Sequence, residues 1–349
     1  MESSKRSNVF ISIGSLLLAL LFSALLILLL KYSPIEAYGA MFKGAFGSKN
    51  SWAATLGTAT PLIFAGLAMA ISNKAGVFNI GGEGQIVVGA MAAAVAGQYG
   101  GGLPKIIHIV ICLLAAGIAG GLWAGIAALL KVKMKINEVI VTIMLNYLAV
   151  YFVNYLVMNP FKAEGMTART NYISESAVIP SIIRNTRLNY GIFLAIAVAL
   201  IFLFILKRTI MGYELRSVGL NPSAAENAGI AAAKYIYIAM FLSGAVAGIG
   251  GAVEVLGVHK YYISNMTVKY GYDGIAVSVM GGNSPIGILI SAVVFGALKA
   301  GASNMNRMTH IPSEFISVLQ ALVIIFVATP AIVRRGKDRI SKGKGKREG

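Results

Sequence analysis

A cluster of polar residues interrupts two apolar segments in the first third of the chain. The stretch GVFNIGGEGQ, residues 76–85, lies between the apolar run 61–71 and the small-residue run 86–97. Its glycines permit a tight turn and the close approach of another backbone, and Glu83 falls where a helix dipole favours an acidic group. Either this is a water-facing turn with an N-terminal cap, or it offers polar groups to a neutral polar solute. The candidate solute-contacting residues are Asn79, Glu83 and Gln85.

A second polar set follows one face of the apolar segment 137–158. Tyr147, Tyr151, Asn154 and Tyr155 recur at i, i+4, i+7 and i+8, so that a helix places them on one face, with Asn146 beside it. Tyrosine rings can stack on a flat base, worth about 1–3 kcal/mol, and asparagine can pair with base edges or ribose hydroxyls. The alternative is an aromatic belt at a membrane interface, which suits the terminal Tyr155 better than the central Asn146 and Tyr147.

Motifs for catalysis are absent from the sequence. It contains no GxxxxGK[ST] phosphate-binding loop and no GxSxG, and Cys112, the only cysteine, lies in an apolar run. His108, His259 and His310 lack the spacing of metal ligands. We therefore expect a chain that is not an enzyme and has no cofactor of its own.

Composition indicates an integral membrane protein. The chain is 57% hydrophobic and 12% charged, whereas soluble domains have about 25% charged residues, and its mean hydropathy is +0.76. Because one spanning helix needs about 20 apolar residues, we expect an all-α polytopic protein with about 8–10 transmembrane helices. The net charge of +17 includes a basic tail, residues 334–349, typical of a cytoplasmic terminus. Nucleic-acid binding is not expected.

The order of the apolar segments predicts one broken helix. The candidate spans are 9–30, 53–72, 80–97, 105–130, 137–158, 189–206, 234–257, 286–302 and 311–333. If the basic loops after 130 and 206 and both termini are cytoplasmic, a non-standard element must lie between 258 and 302. The stretch 271–287 is too short to span and is then interrupted by glycines and a proline. It predicts either a re-entrant half-helix, as found at transport sites, or two very short crossings.

Three motifs in this order resemble a known family. GVFNIGGEGQIVVGA, GYELRSVGLNPSAAENAGI and AVSVMGGNSPIG are similar to signatures of the permease subunits of bacterial ABC importers in the branched-chain amino acid and simple-sugar permease family. The first is most similar to its nucleoside branch, of the guanosine type, and the resemblance covers about residues 55–330. It implies a single transmembrane permease domain over residues 1–349, in a bacterial cell membrane, with cytoplasmic N- and C-termini.

The resemblance also implies partners. They are an ABC ATPase subunit, with two fused cassettes as one option, that binds ATP and Mg, a second homologous permease, an extracytoplasmic substrate-binding lipoprotein and membrane lipid. The second motif lies in loop 207–233, which resembles the family's cytoplasmic loop that couples to the ATPase. The candidate coupling residues are Gly219, Asn221, Pro222, Ala225 and Gly229.

Local chemistry predicts a short capped helix within this loop. Asn221 is a good N-cap, Pro222 suits the first helical position, and Gly229 suits a left-handed end, so we expect a helix over 222–228. An isolated helix of this length is marginal in water and needs a partner surface. An ATPase groove would provide one, and an ordinary interfacial linker helix is the alternative.

We therefore expect the permease subunit of an ATP-driven importer that forms half of a translocation pathway for nucleosides. A sugar or another small polar solute is the alternative cargo. A self-sufficient secondary transporter is a different class of function, and Glu254 and Asp273 would be its candidate proton sites.

Overall fold

The computed structural model describes residues 21–29, 31–266, 269–309, 311, 318 and 321–322. Residues 21–29 are helical, and the labelled α-helices follow them. They are α1 (Pro34–Phe46), α2 (Lys49–Lys74), α3 (Gly82–Gln98), α4 (Lys105–Met134), α5 (Glu138–Met158), α6 (Gly191–Arg208), α7 (Ile210–Leu220), α8 (Pro222–Asn227), α9 (Ala232–Glu254), α10 (Tyr270–Met280) and α11 (Pro285–Thr309). A 3₁₀ turn, Glu175–Ala177, and a π-helical turn, Val255–His259, complete the helical elements of this part of the chain.

Six helices within the described residues are long and apolar enough to cross a membrane. They are Lys49–Lys74, Lys105–Met134, Glu138–Met158, Gly191–Arg208, Ala232–His259 and Pro285–Thr309. The 17-residue α3 is largely buried among them. The expectation of an all-α polytopic membrane protein is confirmed, and the inner predicted spans match these helices closely. The predicted spans 9–30 and 311–333 lie largely, and the basic tail 334–349 wholly, outside the described residues.

The chain divides into two compact units, Met1–Trp52 with Ala297–Gly349, and Ala53–Gly296. In the first, Ser33 caps α1, which the apolar pattern did not predict, and the Asn304 amide donates to the carbonyl of Ala40 at 2.8 Å. The second unit holds every candidate site residue. That residues 1–349 behave as one domain stays a prediction.

Small residues allow three helices of the second unit to pack closely. A Cβ built on Gly89 of α3 would lie 2.3 Å from the Cα of Gly248 in α9, and one on Gly120 of α4 would lie 2.4 Å from the carbonyl oxygen of Gly244. Such contacts require glycine and are the usual basis of helix association in lipid, where burial from water adds little. The helices α3, α4 and α9 are therefore closely packed against one another within the second unit.

The helical structure is interrupted in both predicted places, which we call the first break (residues 75–81) and the second break (residues 271–287). Residues 75–81 separate α2 from α3, and the 11-residue α10 is followed by a turn before α11. At 1.5 Å per residue α10 is about 16 Å long, half of the roughly 30 Å hydrocarbon core. It packs on α2, where a Cβ on Gly274 would lie 2.4 Å from the Cβ of Ala65. The predicted half-helix is present, and its re-entrant path stays a prediction.

The long loop between α5 and α6 is ordered by backbone hydrogen bonds. Thr170 N–H donates to the Tyr262 carbonyl at 2.8 Å, Ile173 N–H to Lys260 at 2.9 Å, and Ser174 N–H to Gly97 at 2.7 Å. These bonds fasten the loop over the ends of α3 and α9. This loop therefore forms a fixed cover at one end of the second unit.

Candidate functional site

A cavity of about 760 Å³ lies beside α5 and contains most of the predicted solute-contacting residues. Its lining consists of Glu83, Asn146, Tyr147, Val150, Tyr151, Asn154, Asn265, Lys269, Tyr272 and Asp273. The helical spacing on α5 therefore brings Asn146, Tyr147, Tyr151 and Asn154 to one site, together with Glu83 from the first break. From Asn146 to Asn154 the wall extends about 12 Å along the helix axis.

Glu83 is buried at the contact between the two breaks. Its side chain is 5% exposed, and its Oε2 accepts a hydrogen bond of 2.7 Å from the backbone N–H of Gly271, in the first turn of α10. The alternative in which Glu83 faces water at a turn is therefore wrong. The carboxylate instead joins the start of α3 to the start of α10.

Asn79 and Gln85 lie beneath the cavity and bond to each other. The Asn79 amide nitrogen donates to Gln85 Oε1 at 3.1 Å and to Ser243 Oγ at 2.8 Å, while the Asn79 oxygen accepts from Gly81 N–H at 2.8 Å. Both side chains are buried. They hold the turn in shape and anchor it to α9, and direct solute contact by either residue stays a prediction.

Asn146 connects α5 to both breaks. Its Oδ1 accepts from Gly84 N–H at 2.8 Å, and its Nδ2 donates to the Ile80 carbonyl at 2.9 Å and to Tyr272 Oη at 3.3 Å. The amide oxygen and nitrogen of Asn146 both have partners within the protein. This side chain therefore shapes the cavity floor and has little capacity to bond a solute.

Five lining residues were not among the predicted solute-contacting residues. Val150 lies on α5, Asn265 and Lys269 lie between the π-helical turn and α10, and Tyr272 and Asp273 lie in the first turn of α10. Asn265 Oδ1 accepts from the Asn154 amide at 3.3 Å, which closes that end of the wall. The signal available was the predicted break at 271–287, which placed Tyr272 and Asp273 near a transport path, with Asp273 named only as a candidate proton site of a secondary transporter.

The tyrosine face of α5 is open. Tyr151 is 71% exposed and Tyr155 is 62% exposed, but Tyr155 does not line the cavity. Tyrosines facing lipid along the middle of a spanning helix would leave their hydroxyl groups without partners. This face therefore needs a cover of protein or water.

The coupling loop contains two helices, of which the sequence predicted one. In α8, Asn221 Oδ1 accepts from Ala224 N–H at 3.1 Å, Pro222 takes the first position, and Gly229 has φ of +84°. The predicted caps are thus present, with the helix ending at Asn227. The preceding α7 was not predicted.

Part of this loop packs on its own chain. Ala225 is 4% exposed and belongs to a cluster with Leu215, Val218 and Tyr235, so this chain itself provides part of the surface that α8 was expected to need. A Cβ on Gly219 would lie 2.2 Å from the Lys74 carbonyl oxygen. Asn221, Pro222 and Gly229 remain on the exposed side, and the coupling role of all five residues stays a prediction.

A half-buried ion pair lies near the end of α9, in which Glu254 is buried and the Arg187 side chain is 41% exposed. Arg187 of the long loop contacts Glu254 at 2.9 Å, and its guanidinium also donates to Tyr270 Oη at 3.4 Å. Burial acts most strongly and lowers the pKa of Arg187, but the charge and hydrogen bond of Glu254 together with Tyr270 outweigh it, so that the pKa is raised. Since Glu254 is paired, it offers little support for a proton site. Among the described residues, no group of three His, Cys, Asp or Glu could hold a metal ion.

Comparison with known proteins defines the class. Residues 51–328 match the family described as the branched-chain amino acid transport system / permease component. The chain belongs to this permease family and is thus a multi-pass transport component.

Individual relatives match over nearly the whole length. The guanosine ABC transporter permease protein NupP of Bacillus subtilis is 38% identical over 96% of this chain and 97% of its own. The nucleoside ABC transporter permease protein NupB of Lactococcus lactis is 33% identical over 95% and 93%. The glucose ABC transporter permease protein TsgB13 of Haloferax volcanii is 30% identical over 92% and 87%.

Proposed function

We propose that this permease forms one half of the translocation pathway of an ATP-driven importer for nucleosides. The main observation is the cavity beside α5, where tyrosine rings, amides and carboxylates meet on an open helix face. A nucleoside combines a flat base with a hydroxyl-rich ribose. Tyr147 and Tyr151 suit stacking on the base, at about 1–3 kcal/mol for each base, while the Asp273 carboxylate suits hydrogen bonds to base edges or ribose hydroxyls. The Asn154 amide bonds to Asn265 and Ser264, so it shapes the wall as Asn146 shapes the floor.

The open face supports a second permease as partner. In a half-pathway, the tyrosines of α5 would face the corresponding helix of a homologous permease across a water-filled passage. The lipid-facing alternative leaves polar groups in hydrocarbon. A pathway between two subunits also explains why the cavity is not enclosed by this chain alone.

Membership of the permease family and the position of the basic loop 207–233 support the remaining partners. ATP and Mg would bind a separate ATPase subunit, with one or two cassettes to a chain, docked at loop 207–233. An extracytoplasmic lipoprotein would deliver the solute at the opposite end. Such a machine switches between inward- and outward-facing states because partners bind those states with different affinity.

The geometry supports the proposed orientation in a bacterial cell membrane. A cavity of about 510 Å³ is lined both by Lys131, Lys135 and Glu138 and by Pro222 and Glu226 of α8. The basic loop after α4 and the coupling helix therefore share one end of the unit. Under the positive-inside rule this end is cytoplasmic, as are both termini, and the long loop after α5 is external.

The sugar alternative has its own support, since a glucose permease is among the relatives. A secondary carrier would be favoured instead by uptake without an ATPase.

Competition in whole cells separates the two cargo classes: uptake of a labelled nucleoside is measured with and without the gene for this chain. We expect gene-dependent uptake that unlabelled nucleosides inhibit and glucose does not. Gene-dependent uptake that glucose abolishes would reject the nucleoside assignment.

A further inference from the structure

A close backbone contact joins α7 to the first break. A Cβ on Gly219 would lie 2.2 Å from the Lys74 carbonyl oxygen and 3.0 Å from the Gly76 nitrogen. Gly76 itself has φ of +74°, a conformation that glycine adopts without strain. Since there is no room for a side chain between them, a displacement of α7 must move the start of the break.

Hydrogen bonds hold the first break in one conformation between Gly76 and Glu83. Gly76 N–H donates to the Asn73 carbonyl at 3.0 Å, the Asn79 side chain holds Gly81 N–H, and the Ile80 carbonyl accepts from Asn146. Four residues of the turn, Gly76, Asn79, Ile80 and Gly81, are thus held by hydrogen bonds. A displacement at one end is transmitted to the other because packed, hydrogen-bonded segments change between discrete arrangements instead of deforming smoothly.

At the far end, Glu83 completes the first turn of α10. The first N–H groups of a helix need acceptors from outside it. Lys269, at the N-cap position, has φ of +60° and makes no side-chain capping bond in the part of the chain that the structure describes. The Glu83 carboxylate, from a segment 188 residues away, bonds to Gly271 N–H instead. A Cβ on Gly271 would lie 2.1 Å from the Glu83 nitrogen, so the two backbones touch.

We propose that Glu83 is a positioning residue that transmits movement of the coupling loop to the solute cavity. A displacement of α7 moves Gly219, which contacts Gly76 and so moves the hydrogen-bonded first break. The Glu83 carboxylate just beyond the far end of this break then moves the start of α10. The next residues of α10, Tyr272 and Asp273, line the cavity. This inference rests on the proposed function to the extent that a partner ATPase supplies the displacement.

The test uses a cysteine reporter on α10. Tyr272→Cys is introduced with Cys112→Ala, and the complete importer is reconstituted in lipid nanodiscs. The maleimide labelling rate of the new cysteine is measured without nucleotide and with the ATPase trapped by ATP and vanadate. We expect the two rates to differ by five-fold or more. Glu83→Ala, which removes the oxygen that accepts from Gly271 N–H, and Gly219→Ala should each reduce the difference to less than two-fold.

Gly125→Ala is the matched control, because Gly125 also lies in a helix but its Cβ would meet nothing within 4 Å. It should retain the full nucleotide dependence. Co-purification of the ATPase verifies assembly of every variant; if Gly219→Ala fails to assemble, Glu83→Ala decides alone. Nucleotide-independent labelling in the parent, or full dependence in Glu83→Ala, overturns the proposal. Labelling requires no solute, so an importer that fails to move nucleosides but passes this test refutes the proposed cargo alone.

Discussion

Tyr151 offers the cleanest test of the solute cavity, because its ring can be removed with little damage to the fold. The side chain is 71% exposed, and within the described part of the chain its hydroxyl makes no hydrogen bond. Substitutions at such exposed positions usually change the free energy of unfolding by less than about 0.5 kcal/mol. Loss of base stacking costs about 1–3 kcal/mol, which corresponds to roughly a five-fold to hundred-fold loss of affinity.

Tyr151→Ala should therefore lower nucleoside uptake at limiting substrate at least five-fold, while Tyr151→Phe, which keeps the ring, should retain most of it. The assay is uptake of labelled nucleoside into proteoliposomes that contain the complete importer and internal ATP. Tyr155→Ala is the matched control, since Tyr155 lies one helical turn away, is similarly exposed and does not line the cavity. Equal losses from Tyr151→Ala and Tyr155→Ala would indicate an aromatic belt and refute the solute-site interpretation.

Further outcomes are expected at three other positions. Asn146→Ala should lower the thermal stability of the purified complex, because each buried backbone group left without its partner costs about 1–3 kcal/mol; unchanged stability would show that the amide bonds are unimportant. Ala225→Trp should destabilise the permease itself by about 1–3 kcal/mol, since it overfills the chain's own core, whereas Ser223→Trp on the exposed side should block co-purification of the ATPase. Full ATPase recovery with Ser223→Trp would remove α8 from the docking surface. Gly229→Val should strain a left-handed position by about 1–3 kcal/mol and reduce transport relative to Gly102→Val, and equal transport by the two variants would contradict this.

The spanning helices were predictable because their lengths follow from the apolar runs. The bilayer thickness requires about 20 apolar residues for each span, so the segment 137–158 gave α5 to within one residue. The ends of α8 were predictable for a different reason, since N-capping and left-handed glycine are local properties of the sequence. The helices α1 and α7 were not predicted, because neither has a long apolar run.

The cavity was only partly predictable. Helical spacing placed Tyr147, Tyr151 and Tyr155 on one face of α5, and the first two of these line the cavity. The pairing of Asn79 with Gln85 and Ser243 was not visible, since it depends on α9, which is more than 150 residues away in the chain. The same holds for Lys269, whose position beside Glu83 in the cavity lining results from tertiary packing. Buried polar groups must find partners, but the sequence does not say which.

The most direct test of the account is ATP-dependent uptake by defined proteoliposomes. One preparation contains this chain alone, and the other contains it with its paired permease, the ATPase and the lipoprotein. The account predicts uptake of labelled nucleoside only by the complete complex, only with ATP and Mg on the ATPase side, and not by the chain alone. Equal uptake by the chain alone without ATP would show a self-sufficient carrier and would contradict the account.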